Sequence, residues 1–213
     1  MIKDKTVVIP CAGVGKRLGR GMPKAIVKVC GEEMILRTLK LLDEVEDVRI
    51  VVGYQAEKVM EKVLEYRKDV KFVFNYDYLS TGTGASVLLA AEGARKYVLT
   101  IDGDIIIHPT DMEKILAHSG EFVGVTEVSS DDSVLAKIQN GEVVGFSREE
   151  GDLEWTGIAQ ICSEHIGATK GHVYEILEPL LPLPALKIRT KEIDTENDFL
   201  VASSWVENDY KED

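Results

Sequence analysis

Thr6-Val7-Val8-Ile9-Pro10-Cys11-Ala12-Gly13-Val14-Gly15-Lys16-Arg17-Leu18-Gly19, continuing through Gly21-Met22-Pro23-Lys24-Ala25, carries more structural information than any other stretch of the chain. An apolar run stops at a proline and opens into small residues, which is the pattern of a first strand buried on both faces. Glycines just after such a strand permit positive φ and let backbone N–H groups approach a phosphate closely. Lys16, Arg17, Arg20, Lys24 and Lys28 crowd the same stretch, and no acid lies between positions 16 and 28. Loops at the C-terminal ends of sheet strands are where open α/β sheets bind ligands. The stretch therefore reads as a polyphosphate cradle. Two familiar phosphate loops do not fit it. Gly13, Gly15 and Gly19 miss G-x-G-x-x-G by one residue, Pro23 interrupts the helix that should follow, and G-x-x-x-x-G-K-[ST] is absent.

Outward from the loop, strand and helix patterns alternate about every dozen residues. Ile35, Leu36, Leu39 and Leu42 recur at helical spacing after Gly31, and Val48–Val52 is a buried β-type run closed by Gly53. Gln55–Lys68 carries Val59, Met60, Val63 and Leu64 on one helical stripe. Lys71–Phe74 and Tyr97–Ile101 are strands, with a small-residue helix over Gly84–Ala94 between them. This order predicts a single α/β, Rossmann-like domain with a mixed, mainly parallel sheet and helices on both faces. After Asp111 the pattern changes to short strands at Phe122–Val128, Leu135–Ile138, Val143–Phe146 and Thr156–Ile161, with the hairpin signal Asn140-Gly141 between the second and third. These predict a small antiparallel appendage. Helices are expected near His172–Leu177 and Thr195–Val206, then a charged, frayed tail over Glu207–Asp213. No period of 20–50 residues and no hexapeptide repeat is visible.

The 213 residues are 45% hydrophobic and 29% charged, and 37 acids against 25 bases leave a net charge of −12. That field repels polyanions, so nucleic acid and anionic membrane surfaces are not expected partners. No apolar run approaches the roughly 20 residues of a membrane span, and the N-terminus has no signal-peptide core. Cys11, Cys30 and Cys162 form no CxxC pair, which points to a reducing, cytoplasmic setting. A triphosphate bound to so acidic a protein needs Mg²⁺, which takes one or two carboxylates. Asp104 follows a buried strand by a few residues and should stand at the same sheet edge as the glycine loop. Asp194, on its own, reads as a helix N-terminal acid beside a Thr195 cap. His108, His118, His165 and His172 show no ligand spacing.

Ala12–Leu18 with Pro23-Lys24 resembles the signature of the nucleotidyltransferase superfamily that joins NTPs to phosphorylated sugars and alcohols. Gly31–Leu42 and Val51–Tyr54 resemble its next helix and strand, Gly82-Thr83-Gly84-Ala85-Ser86 its base-side loop. Ile101–Asp104 and Glu192–Thr195 resemble its two metal-carboxylate positions. Within the superfamily the chain looks most like cytidylyltransferases acting on inositol-1-phosphate and phosphocholine, with Cys11 where alanine is usual. The resemblance implies transfer of a nucleotidyl group, from CTP, to a small phosphorylated alcohol or sugar with release of pyrophosphate. It makes residues 1–111 mainly the NTP-binding half and 112–206 mainly the acceptor half. Arg17 and Lys24 are then catalytic, and Asp104 and Asp194 hold Mg²⁺. Ala12, Gly13, Gly15, Lys16, Gly82, Thr83, Ser86 and Asp102 bind the nucleotide, and Tyr54 covers the base or belongs to the core. Thr156, Gly157 and Lys187 bind the acceptor, while Trp155 beside Asp152 and Glu154 faces a quaternary amine or is a plain strand-edge residue. The apolar segment Ile176–Leu186 suits a core or a homo-oligomer interface. The alternatives are uridylyl, thymidylyl or guanylyl transfer to a sugar-1-phosphate, and a nucleotide-binding regulatory protein without turnover.

Overall fold

The structure, a computed structural model, describes residues 2–129 and 133–210. Strand β1 (Ile2–Cys11) leads through the glycine loop and the β2–β3 hairpin (Lys28–Val29, Glu32–Glu33) to α1 (Met34–Lys40). β4 (Val45–Val52), α2 (Ala56–Tyr66), β5 (Lys71–Phe74), α3 (Thr83–Ala90), β6 (Tyr97–Ile101), β7 (Ile105–Ile107) and α4 (Pro109–Ala117) follow. The second half contains β8 (Phe122–Thr126), β9 (Leu135–Gln139), β10 (Glu142–Ser147), β11 (Leu153–Cys162), α5 (Val173–Leu177), β12 (Leu183–Lys187), β13 (Thr190–Glu192) and α6 (Glu196–Asn208).

Nine strands form one sheet in the order β5-β4-β1-β6-β11-β8-β12-β10-β9. β5, β4, β1 and β6 are mutually parallel, and β1 lies between β4 and β6 with Val8 opposite both Arg49 and Thr100. Its side chains alternate between two apolar layers. Val7, Ile9 and Cys11 pack with α1, α2 and α4, whereas Val8 and Ala12 pack with α3 and α5. A strand covered on both faces must read as a continuous apolar run, which is why Thr6–Pro10 was recognisable. The expected antiparallel appendage extends the same sheet. β11 runs antiparallel to β6 along Ile158–Cys162 and is buried at every position except Cys162, so it needs neighbours on both edges. Asn140 and Gly141 turn β9 into β10 with φ of 51° and 84°.

Helix α6 closes a third apolar cluster, with Ala202 and Val206 against Leu18, Val27, Val29, Met34, Ile106 and Ile193. Its start is fixed by a capping box in which Thr195 Oγ1 accepts the Asp198 N–H and the Asp198 carboxylate accepts the Thr195 N–H. The expected frayed tail does not begin at Glu207. The helix runs to Asn208, and Tyr210 packs on His108 and Trp205 beneath the Arg37 guanidinium. Residues 211–213 of that tail lie outside the described residues. Among the described residues no helix is long and apolar enough to cross a membrane.

Candidate active site

Three backbone segments meet at the carboxyl edge of the parallel strands. The Gly103 N–H donates to Pro10 O (3.2 Å), and a Cβ at 103 would lie 2.6 Å from Cys11 Sγ, so the Asp102–Asp104 turn rests directly on the end of β1. The Ile193 N–H donates to Asp104 O (2.9 Å), and β13 pairs antiparallel with β7, Glu192 opposite Ile105. Asp104 and Asp194, 90 positions apart in sequence, are thereby held side by side. In the glycine loop, Gly15 has φ +63°, and a Cβ there would lie 2.6 Å from Lys24 Cγ. Lys24 therefore crosses the loop only because position 15 has no side chain. Gly15→Ala is expected to keep the fold at a cost of about 1 kcal/mol for an alanine at positive φ and to displace Lys24, lowering turnover about tenfold to a hundredfold, as steady-state kinetics with a melting temperature lowered by only a few degrees would show.

Lys24 Nζ donates to Asp104 Oδ2 (2.8 Å) and to Asp194 Oδ1, and Arg17 Nη2 donates to Asp194 Oδ2 (2.5 Å). Burial alone would lower the Lys24 pKa, but the Asp104 and Asp194 carboxylates outweigh it and hold the ammonium above its ordinary range. Burial also works to raise Asp194, yet Lys24 and Arg17 keep it below the usual carboxylate value. Asp102 is pushed well up, by burial first and then by Asp104. Burial, with Asp104 and Asp194 nearby, pushes Glu192 up to about 9.

Asp104, Glu192 and Asp194 offer carboxylate oxygens within 4.8 Å of one another. Three hard oxygen donors around one point, of which Asp104 and Asp194 already share the Lys24 ammonium as cationic partner, fit a Mg²⁺ ion. Asp104 and Asp194 are the two residues the sequence singled out, and Glu192 joins them. The available signal was its spacing: residues two apart on a strand share a face.

Of the five loop bases, Lys16, Arg17 and Lys24 line a cleft of about 370 Å³ together with Gly13, Gly15, Tyr78 and both aspartates. The other two turn away. Arg20 forks onto Glu196 and stacks on Phe199, and Lys28 reaches Glu33. Next to the cleft, a pocket of about 170 Å³ collects Ala12, Gly13, Gly82, Thr83 and Ser86, all expected on the base side, and adds Asn75, Tyr78 and His172. Tyr54 lines neither cavity, and its hydroxyl accepts from Gln55 instead. Gly82 is there for packing: its N–H goes to Lys170 O, and a Cβ would lie 2.4 Å from Gly171 O.

Of the residues expected to bind the acceptor, Gly157 reaches a cavity of about 160 Å³ with Arg17, Asp102, Arg148, Trp155, Glu192 and Asp194. Its N-terminal neighbour does not. Thr156 is buried, accepts the Ile158 N–H and sits over Gly124. Lys187 is exposed and paired with Glu127 at 3.1 Å, while Lys191 lines an adjoining cavity with Arg17, Glu154, Glu192 and Asp194. Trp155 is 8% exposed and packs on Phe146 and Tyr174, so it is at once core and cavity wall.

The architecture is shared with solved structures. The inositol-1-phosphate CTP transferase from T. maritima superposes with a TM-score of 0.81 at 17% identity, covering 98% of each chain. The CTP:phosphocholine cytidylyltransferase from Streptococcus pneumoniae gives 0.78 at 18%, covering 96% of this chain and all of the other. In sequence, the chain is 29% identical over 191 residues to the bifunctional protein GlmU of Campylobacter lari, an alignment covering 88% of this chain and 44% of that protein. The chain spans less than half the length of the curated relatives it matches. A family description, the MobA-like NTP transferase domain, matches residues 7–172, which include the glycine loop, Asp104 and the base-side pocket. The chain belongs to the MobA-like NTP transferase domain family.

Proposed function

We propose that the protein transfers a cytidylyl group from CTP to a small phosphorylated alcohol or sugar. The observation that carries this reading is the meeting of Arg17 and Lys24 from one loop with Asp104, Glu192 and Asp194 from two others, at the mouth of a cleft flanked by a base-sized pocket. A cation pair facing a carboxylate cluster is the equipment that polyphosphate chemistry requires in an acidic protein. Support for cytosine comes from the two cytidylyltransferases that share the fold.

In the reaction, an acceptor phosphate oxygen attacks the α-phosphorus, the α–β bridging P–O bond breaks, and pyrophosphate departs with that electron pair. The attacking oxygen is already anionic, so no general base is needed. Arg17 and the amides of the Gly13–Gly15 loop would bind the β- and γ-phosphates. Lys24, pre-charged by its two aspartates, would lie against the α-phosphate, where negative charge builds in the transition state. Asp104, Glu192 and Asp194 would hold Mg²⁺, which when bound supplies neutralisation of phosphate charge. Gly157, Lys191 and Arg148 would bind the acceptor, whose place is the cavity pair adjoining Asp194.

Pyrophosphate release with Mg²⁺, each NTP and a panel of acceptors tests this. The panel contains inositol-1-phosphate, phosphocholine, aminoethylphosphonate and hexose-1-phosphates. Release with CTP and one acceptor is the expected result. Release only with another NTP keeps the transfer and overturns the base, and no NTP binding at all overturns the whole reading.

A further inference from the structure

The base-side pocket is wired by a hydrogen-bond chain that can run in only one direction. The Asp77 backbone N–H donates to Asn75 Oδ1 at 3.0 Å. A backbone N–H cannot accept, so the Asn75 carbonyl must face Asp77 and its NH₂ must face the other way. Both amide hydrogens are then committed, because Nδ2 donates to Thr81 Oγ1 and to Ser86 Oγ, each at 3.1 Å. Thr81 passes its own hydrogen to Asp77 O (2.9 Å), which closes that branch. Ser86 has no such outlet. Its Oγ accepts from Asn75, and among the described residues no group accepts its hydroxyl hydrogen. The residue is 3% exposed, on the wall of the pocket. With Asn75 Nδ2 donating to its Oγ, the hydroxyl keeps its own hydrogen to give, and the pocket it lines is where a ligand could take it.

We propose that Asn75 is a positioning residue that makes Ser86 an obligatory donor, and that the pocket therefore selects a base offering an acceptor at that point: a ring carbonyl oxygen or an unprotonated ring nitrogen. This deepens the nucleotidyltransferase reading of the cleft and rests on it. Selection arises because a base presenting an N–H or C–H there leaves the buried Ser86 hydrogen unmatched, and an unmatched buried donor is costly.

Asn75→Asp separates the idea from a packing role. The replacement has the same shape and still accepts the Asp77 N–H, but it has no NH₂ to give. Ser86 would then donate to the new carboxylate and turn its lone pairs toward the base, which reverses the polarity of the pocket. The readout is the ratio of kcat/KM for the best NTP over the next best, with equilibrium NTP binding measured in parallel. Added negative charge near the triphosphate weakens every NTP alike and cancels in the ratio. The expected result is a fall in the ratio of about tenfold or more in Asn75→Asp, and a comparable fall in Ser86→Ala. Adding Asn75→Asp to Ser86→Ala should move the ratio no further, because Asn75 acts through Ser86. An unchanged ratio in Asn75→Asp, or full additivity of the two changes, overturns the inference while leaving the enzyme reading intact. Should Asn75→Asp not fold, Ser86→Ala decides by itself, since an unmoved ratio there is equally fatal. Failure of the wild-type protein to bind any NTP strikes the enzyme reading instead.

Discussion

Replacement of Lys24 by alanine is expected to lower kcat about 10²–10³-fold, the usual cost of removing one charge contact made in the transition state. The substrate-bound ground state should suffer less, so KM for the NTP should change by a smaller factor. The structure gives the reason for this division. Lys24 is anchored between Asp104 and Asp194, with its stem against Gly15, so its ammonium is fixed in place before any nucleotide arrives. Such a group costs little reorganisation when charge develops on the α-phosphate, and it does most at that moment. Asp104→Ala should take pyrophosphate release to background for a different reason, since it removes one of three converging carboxylates and one of the two partners of Lys24. The two variants are told apart by titration with divalent cation. Lys24→Ala should still require Mg²⁺, at concentrations no higher than the wild type because a cation competing for Asp104 and Asp194 is gone, whereas Asp104→Ala should stay at background at every Mg²⁺ concentration. Unchanged turnover in Lys24→Ala would remove the lysine from the chemistry.

The readable parts of the site were those where one physical constraint dominates the local sequence. β1 and its glycine loop were legible because a strand buried on both faces tolerates only apolar residues, and Gly15, at φ +63° with Lys24 laid across it, leaves no room for a side chain. Asp104 followed from its distance past a buried strand. Other parts were hidden for identifiable reasons. β7 has only three residues, Ile105–Ile107, and a period cannot be read from three. α4 announced itself through Pro109 at its first position and Asp111 in its first turn, a start signal that the shift to short strands obscured. On β11 the pairing with β8 changes register between Trp155 and Ala159, around Gly157 at φ +76°. Trp155 and Gly157 open on the cavity, and Thr156 between them faces the other way, with its Oγ1 against Gly124. Lys187 ends β12 and reaches solvent, whereas Lys191 lies on the β7–β13 ribbon that carries the carboxylates. That ribbon forms through pairing of residues 83 to 87 positions apart, and no local pattern records it.

Arg49→Met is expected to destabilise the fold by about 3–5 kcal/mol, a large share of the total for a domain of this kind. Nothing in Val48–Val52 distinguishes this arginine from a solvent-facing one, yet it is 6% exposed. Its guanidinium holds both Asp47 oxygens, at 3.2 and 2.8 Å, and donates to the carbonyls of Ala90, Glu92 and Gly93. These last contacts satisfy the end of α3, whose start supplies Thr83 and Ser86 to the base-side pocket. Methionine fills similar space but strands a buried carboxylate and leaves three carbonyls without their donor. The pH dependence identifies the carboxylate as the cause. Burial alone would raise Asp47, but hydrogen bonds from Arg49, Thr6 and Lys71 hold it below the ordinary range. A depressed group adds stability that is fully present above its unfolded pKa of about 3.9 and is lost as pH falls through the folded value. In Arg49→Met the balance tips toward burial, so Asp47 takes up a proton more readily in the folded state than in the wild type. The gap between wild type and variant should therefore be widest near neutral pH and narrow as pH drops below about 4, as measured by urea unfolding at a series of pH values. A gap that stays constant with pH would assign the loss to the orphaned carbonyls of α3, because those do not titrate and Asp47 does.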